Sequence, residues 1–140
     1  MSNLRPILLA DDNPMDVDLT LRAFRRNKLT NPIEVARDGG EVLAWIGRWE
    51  RGEPRPVVVL LDINMPKIDG LEVVARLKAH PEFRSIPVVM LTTSAASNDV
   101  RRAYLNGANS YIVKPVDFDK FAAVAAQIEL YWAVLNTPPS

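Results

Sequence analysis

Short apolar runs alternate with longer amphipathic stretches along the chain. Four of the runs are continuous and rich in valine, isoleucine and leucine, which is typical of strands buried on both faces. They cover residues 7–10, 57–61, 88–91 and 111–113. A fifth run, at 33–36, is interrupted by Glu34 and therefore indicates an edge strand.

The stretches between these runs have apolar residues at helical spacing. The clearest stripe is Val42, Trp45, Ile46 and Trp49, which lie at i, i+3, i+4 and i+7. A last helix is predicted over residues 118–135. Strands and helices thus alternate five times, which predicts an α/β fold: a doubly wound sheet of five parallel strands with helices on both faces and right-handed crossovers.

The composition is that of one globular domain spanning residues 1–140. Its 17 basic and 17 acidic residues cancel, which argues against nucleic acid or a membrane as the main partner, because both favour a basic excess. Cysteine is absent, so disulfides and thiolate metal sites are excluded. The sequence has neither an apolar run of membrane-spanning length nor a signal-peptide pattern, and we expect a cytoplasmic protein.

Polar residues follow four of the predicted strands. Asp11 and Asp12 follow the first strand, Asp62 the third, Thr92 the fourth and Lys114 the fifth. In a parallel sheet these positions meet at the carboxyl ends of the strands, where ligands bind. Each residue by itself is more often a loop residue or a helix cap, but the four coincidences together favour a site.

The residue types of this set suit phosphoryl chemistry. Three carboxylates in one pocket are costly without a cation, and with no histidine or cysteine nearby they favour Mg²⁺. Lysine and threonine add a second positive charge and a hydroxyl. The set predicts a site where cations neutralise the oxygens of a phosphoryl group while a carboxylate attacks it in line.

The strand ends and their surroundings resemble the response regulator receiver domain family over residues 5–118. The motifs are LLADD at 8–12, LLDINMPKIDG at 60–70, PVVMLT at 87–92 and GANSYIVKP at 107–115. The resemblance implies a flavodoxin-like (βα)5 fold with strand order 2-1-3-4-5. It also implies a two-component signalling protein that accepts a phosphoryl group from a histidine kinase, and not an enzyme acting on a separate substrate.

The resemblance assigns the acceptor and the metal ligands. It implies that Asp62 is the phosphoacceptor and also binds Mg²⁺. Asp12 is expected to bind the ion directly, and Asp11 largely through water. The backbone carbonyl of Asn64 is expected to be the remaining protein ligand.

The resemblance also assigns residues that respond to phosphorylation. Lys114 is expected to pair with the phosphoryl oxygens, and its peptide bond to Pro115 is expected to be cis. Thr92 is expected to move onto the phosphoryl group, and Tyr111 to follow it inward.

Weaker features are similar to single-domain regulators that partner phytochrome-type histidine kinases. They are the triplet 92–94, the stretch 47–56 and the tail segment 128–132. The triplet also concerns the lifetime of the phosphorylated state. Thr93 adds bulk beside the path of the hydrolytic water, and Ser94 offers no carboxylate to orient that water, so slow hydrolysis is expected.

Two alternative functions remain open. One is a Mg²⁺-dependent phosphohydrolase with an aspartate nucleophile, but Asn64 stands where such enzymes have a carboxylic general acid, and there is no cap insertion. The other is a degenerate receiver used only for binding, which the presence of Asp12, Asp62, Thr92 and Lys114 argues against.

The last predicted helix is apolar on two sides. One stripe should cover the sheet: Phe121, Val124, Ala125, Ile128, Trp132 and Leu135. The opposite stripe consists of Ala123, Ala126, Leu130 and Val134, with Tyr131 between the two. Packing against the sheet buries only one face of this helix, so the second stripe predicts a homodimer through the helix. We expect the strand at 110–114 and the fourth helix to extend the dimer interface.

Overall fold

A computed structural model describes residues 5–137, apart from the side chain of Val134. Its sheet has five parallel strands in the order β2-β1-β3-β4-β5, which confirms the predicted topology. The strands are β1 (Ile7–Ala10), β2 (Ile33–Ala36), β3 (Val58–Leu61), β4 (Val88–Thr92) and β5 (Ser110–Val113). The helices are α1 (Pro14–Arg26), α2 (Gly39–Glu50), α3 (Gly70–Ala79), α4 (Ser97–Leu105) and α5 (Phe118–Ile128), and a π-helix, η1 (Glu129–Leu135), follows.

The sheet is covered on both faces. Every residue of β1, β3 and β4 is buried, whereas β2 and β5 at the edges are largely half-buried. One core contains Val42, Ile46 and Leu77 from α2 and α3. The other contains Phe24 and Phe121 from α1 and α5. Burial of the central strands from both sides therefore explains three of the four continuous apolar runs. The run at 111–113 was predicted to be buried on both faces, and this was wrong, because it lies in the edge strand β5.

Side-chain caps fix where most of the helices begin. Asn13, Asp38, Asp69 and Asp117 each accept backbone N–H groups at the start of a helix, whereas Ala96 before α4 makes no such bond. The caps satisfy donors that a helix leaves unpaired in its first turn. They therefore hold the loops that leave the carboxyl ends of the strands.

The C-terminal helical segment departs from its predicted packing. Phe121, Ala125 and Ile128 are buried against the sheet as expected, and Trp132 is half-buried, but Leu135 is 63% exposed. The prediction for Leu135 was wrong because α5 changes into a π-helix at Glu129. The i→i+5 hydrogen bonds of a π-helix widen each turn, so the α-helical spacing no longer keeps this residue on the sheet side.

No helix in the described part of the chain is long and apolar enough to cross a membrane.

Candidate functional site

The register of β1 and β3 places two carboxylates side by side. Ala10 pairs with Leu61, and the backbone N–H of Asp62 donates to the carbonyl of Ala10 at 2.9 Å. Asp11 and Asp62 therefore lie next to each other, directly after the ends of two adjacent strands. Asp12 completes the group, and carboxylate oxygens of the three residues lie within 4.8 Å of one another.

The three carboxylates differ in their contact with solvent. Asp11 is 1% exposed and Asp62 is 8% exposed, whereas Asp12 is exposed. Oxygen ligands with no histidine or cysteine in the cluster fit a hard divalent cation such as Mg²⁺. The exposed Asp12 leaves a side of the site open to water, as Mg²⁺ requires because it usually keeps part of its hydration shell.

The ammonium group of Lys114 lies among the same carboxylates. The backbone N–H of Lys114 donates to the carbonyl of Thr92 at 2.7 Å, which positions it at the end of β5. Its Nζ is 2.5 Å from Asp11 Oδ2, 3.2 Å from Asp16 Oδ2 and 3.3 Å from Asp62 Oδ2. Sequence reasoning missed Asp16, which lies in the first turn of α1. The only feature of the sequence that could have indicated its role is an acidic residue in the first helical turn after β1.

Burial and charge act on these groups in opposite directions. Burial raises the pKa of Asp11, although the hydrogen bond from Lys114 opposes that rise. For Lys114, burial by itself would lower the pKa, but the hydrogen bond to Asp11 and the charges of Asp11, Asp62 and Asp16 together raise it. Lys114 is therefore held as an ammonium ion next to partly desolvated carboxylates.

The loop after Asp62 folds back on the end of β3. The N–H of Gly70 donates to the carbonyl of Ile63 at 2.8 Å, and a Cβ at Gly70 would come within 2.0 Å of the carbonyl oxygen of Asp62. Glycine is therefore required there. Asp62 Oδ1 accepts the N–H of Ile63 at 2.7 Å, so Oδ2 is the oxygen that faces Lys114. Asn64 lies exposed in this loop.

The predicted switch residues surround the loop after β4. Thr92 is fully buried as the last residue of β4, and Thr93 is exposed. The hydroxyl of Tyr111 donates to the carbonyl of Ser94 at 2.8 Å, and burial raises the pKa of Tyr111. The hydroxyl of Ser94 donates to Asp99 Oδ2 at 2.6 Å. Tyr111 thus contacts the loop between β4 and α4 and not the carboxylates.

The prediction of a cis peptide bond between Lys114 and Pro115 was wrong. The described residues contain no cis peptide bond. The trans form of a bond before proline is favoured by about 0.5–1 kcal/mol, and the side chain of Lys114 reaches all its carboxylate partners from the trans backbone.

The second apolar stripe of the last helix lies on the surface. Leu130 is 53% exposed and Tyr131 is 52% exposed, Ala123 is exposed and Ala126 is half-buried. The side chain of Val134 lies outside the described part of the chain.

Comparisons with known proteins agree on one family. The model of the response regulator receiver domain matches residues 7–126. Response regulator Rcp1 of Synechocystis sp. is 34% identical over 96% of this chain and 92% of its own length. The probable methanogenesis regulatory protein FilR2 of Methanothrix harundinacea is 42% identical over 95% of this chain and 86% of its own length.

Solved structures give the same result. The crystal structure of the phosphorylated cyanobacterial phytochrome response regulator RcpA has a TM-score of 0.90 at 33% identity, and the match covers 98% of this chain and 99% of that chain.

Proposed function

This chain belongs to the response regulator receiver domain family, and from that premise we propose that Asp62 is its phosphoacceptor. The observation that supports the proposal is the position of Asp62 Oδ2, 3.3 Å from Lys114 Nζ and inside a cluster of three carboxylates. A carboxylate beside an ammonium group, in a cluster that can bind Mg²⁺, is suited to receive a phosphoryl group, because positive charge then neutralises the equatorial oxygens.

The transfer itself is a displacement at phosphorus. An oxygen of Asp62 forms the new bond to phosphorus while the P–N bond of the donor's phosphohistidine breaks. The electron pair leaves with the imidazole nitrogen, which takes up a proton from solvent. Asp12, Asp62 and the backbone carbonyl of Asn64 would hold Mg²⁺ directly and Asp11 largely through water, and the bound ion would supply charge that neutralises the phosphoryl oxygens. Lys114 supplies a second positive charge, since its Nζ lies 3.3 Å from Asp62 Oδ2.

The response to phosphorylation is assigned to Thr92 and Tyr111. Thr92 is buried at the end of β4, and Tyr111 is hydrogen-bonded to the loop that follows it. Movement of the Thr92 hydroxyl onto the phosphoryl group would shift this loop and release the bond from Tyr111 to Ser94. The surface around β5 and α4 would change as a result.

Hydrolysis of separate phosphoesters is the second candidate. Receivers are in general signalling domains and not enzymes. Asn64 is an amide two residues beyond Asp62, and an amide cannot act as the general acid that an aspartate-nucleophile phosphatase needs. We therefore propose that this chain catalyses only its own phosphorylation and dephosphorylation.

The proposed phosphodonor is a histidine kinase of the phytochrome type. Its support is the near full-length similarity to a structure described as a phytochrome response regulator. A phytochrome-type kinase should transfer its phosphoryl group to this chain much faster than an unrelated histidine kinase does, measured by loss of label from the kinase. Equal rates from both kinases would contradict this assignment.

We also propose a homodimer through the end of the last helix. The support is the tail surface, formed by Leu130, Tyr131 and Leu135, each more than half exposed. Next to it, a groove of about 480 Å³ runs between β5 and the helix. Further large apolar residues are exposed on α4 and β5: Tyr104, Leu105 and Val113. Large exposed apolar patches are typical of protein–protein interfaces.

Labelling with acetyl phosphate and Mg²⁺ tests the acceptor. We expect one phosphoryl group per chain, located at Asp62 by mass spectrometry, and no label in Asp62→Asn, because an amide is not a nucleophile. Asp18→Asn is the matched control, since Asp18 is an exposed aspartate paired with Arg22. Full labelling of Asp62→Asn would overturn the assignment, and repeated turnover of a small phosphoester would favour the phosphatase.

Lys114→Ala separates labelling from switching. This variant keeps the nucleophile, so it should be labelled, but more slowly because one cation is lost. It should not show the change in surface contacts that the phosphorylated parent shows. Labelling at the parent rate would contradict the role of Lys114.

A further inference from the structure

The ammonium of Lys114 is shared among three carboxylates, one of which has no role in the proposed transfer. A lysine has three N–H donors, and Asp11, Asp16 and Asp62 each lie within 3.3 Å of Nζ. Asp11 and Asp62 belong to the carboxylate cluster. Asp16 is not a member of that cluster, and its side chain is 30% exposed. Its contact with Lys114 spans 98 positions of the sequence.

Helix capping does not account for the direction of this side chain. At the third helical position, which Asp16 occupies, a glutamate or glutamine commonly reaches back to the N–H of the N-cap residue. Here that N–H, on Asn13, donates to Asp11 Oδ1 at 3.0 Å. The backbone of Asp16 is held independently, since its N–H donates to Asn13 Oδ1 at 3.3 Å and its carbonyl accepts the hydroxyl of Thr20 at 2.8 Å. The carboxylate of Asp16 is therefore directed at Lys114.

We propose that Asp16 is a positioning residue that competes with the phosphoryl group for Lys114 and thereby slows phosphorylation of Asp62. The inference rests on the proposed function. A phosphoryl group on Asp62 brings new oxygen acceptors, and Lys114 must turn an N–H toward them while its three donors already have partners. The contact to Asp11 is the shortest and most buried of the three. The carboxylate of Asp16 is the most exposed of the three, at 30% against 1% for Asp11 and 11% for Asp62, so the contact to Asp16 is the one that Lys114 gives up.

The competition sets the direction of the expected effect. If Asp16 only supported the fold, its loss would leave phosphorylation unchanged or slower. If Asp16 competes for Lys114, removing its charge frees the ammonium, and phosphorylation becomes faster. Asp16→Asn keeps the size and shape of the side chain and removes the charge, whereas Asp16→Glu keeps the charge.

The test is the initial rate at which acetyl phosphate labels Asp62 in the presence of Mg²⁺. Asp16→Asn should be labelled about three- to fivefold faster than the parent, the size expected for a partly exposed ion pair. Asp16→Glu should be labelled at the parent rate. Asp18→Asn removes an equal charge two residues away on the same helix and should leave the rate unchanged. A parent-like or slower rate in Asp16→Asn would overturn the inference.

A double-variant cycle shows whether Asp16 acts through Lys114. In a Lys114→Ala background, adding Asp16→Asn should no longer change the labelling rate. Persistence of the full gain would mean simple repulsion of the anionic donor and would also overturn the inference. Affinity for beryllofluoride, a phosphoryl mimic, should rise by the same factor in Asp16→Asn. If the parent itself is not labelled at Asp62, the proposed function fails; if the parent is labelled and Asp16→Asn gives no gain, only the inference fails.

Discussion

The rim of the sheet and the end of the last helix break the usual distribution of residues in opposite ways. At the rim, Asp11, Asp62 and Lys114 are charged groups that are buried. On the tail surface, Leu130, Tyr131 and Leu135 are apolar or aromatic residues that are exposed. These buried charges are tolerated because Lys114 lies in contact with both carboxylates. Exposed apolar side chains gain nothing from water, so they remain available to a partner.

The comparison indicates how each region would respond to its ligand. At the rim, each of the buried charges has a partner within the chain, so a phosphoryl group must compete with the existing contacts of Lys114. On the tail surface, a partner would add contacts without breaking any that the structure describes. The rim is therefore suited to a switch and the tail surface to association.

The largest expected effect comes from removing the central cation of the rim. Lys114→Ala leaves Asp11 and Asp62 buried without their counter-ion, and this should lower the free energy of unfolding by about 3 kcal/mol in the absence of Mg²⁺. Addition of Mg²⁺ should stabilise the variant more than the parent, because the ion replaces the missing charge. Urea unfolding with and without Mg²⁺ measures both effects.

Two further variants control this measurement. Lys120→Ala removes an exposed lysine of α5 and should change stability by less than about 0.5 kcal/mol. Lys114→Met keeps most of the apolar stem of the side chain and should be nearly as destabilised as Lys114→Ala if the charge is responsible. A Lys114→Ala protein as stable as Lys120→Ala would show that the rim does not depend on its cation.

The next effect concerns the tail surface. A chain with Leu130→Glu and Tyr131→Ser should dimerise about 10- to 100-fold more weakly, a loss of about 1.4–2.8 kcal/mol, because charge and lost aromatic area oppose burial of this face. Sedimentation equilibrium at micromolar concentration gives the dissociation constant.

Ala44→Glu is the control for the dimer, since it adds a charge at an exposed position of α2. It should leave the dissociation constant unchanged. A parent chain that sediments as a monomer of 15.6 kDa, with and without beryllofluoride, would refute the dimer. So would a tail variant that dimerises as well as the parent.

Most of the fold was predictable because its signals are local. Burial from both sides leaves continuous apolar runs, and the alternation of runs and stripes defines the order of the elements. The end of the last helix was not predictable in the same way. A change to π-helical hydrogen bonding at Glu129 leaves the pattern of residue types intact, yet it alters which side chains face the sheet, as Leu135 shows.

The residues of the candidate site were likewise only partly predictable from the sequence. Asp11, Asp62 and Lys114 could be grouped from the sequence because each directly follows a predicted strand, and parallel strands bring their ends together. Asp16 could not be grouped with them, since an acidic residue in the first turn of a helix is adequately explained by the helix dipole. Only the position of Lys114 across the sheet shows that Asp16 has another partner.

The smallest expected effect is on the lifetime of the phosphorylated rim. Hydrolysis requires a water in line behind the phosphorus. Thr93 is exposed directly after the end of β4, and we expect its β-branched side chain to obstruct that water. Ser94 offers no compensating help, because its hydroxyl donates to Asp99 at 2.6 Å. Thr93→Ala should therefore speed dephosphorylation about threefold, which corresponds to less than about 1 kcal/mol of barrier. Thr30→Ala, the same change at another exposed threonine, should leave the rate unaltered. The decay of phosphorylated protein after removal of the donor gives both rates, and an unchanged or slower decay in Thr93→Ala would show that crowding at this position does not control the lifetime.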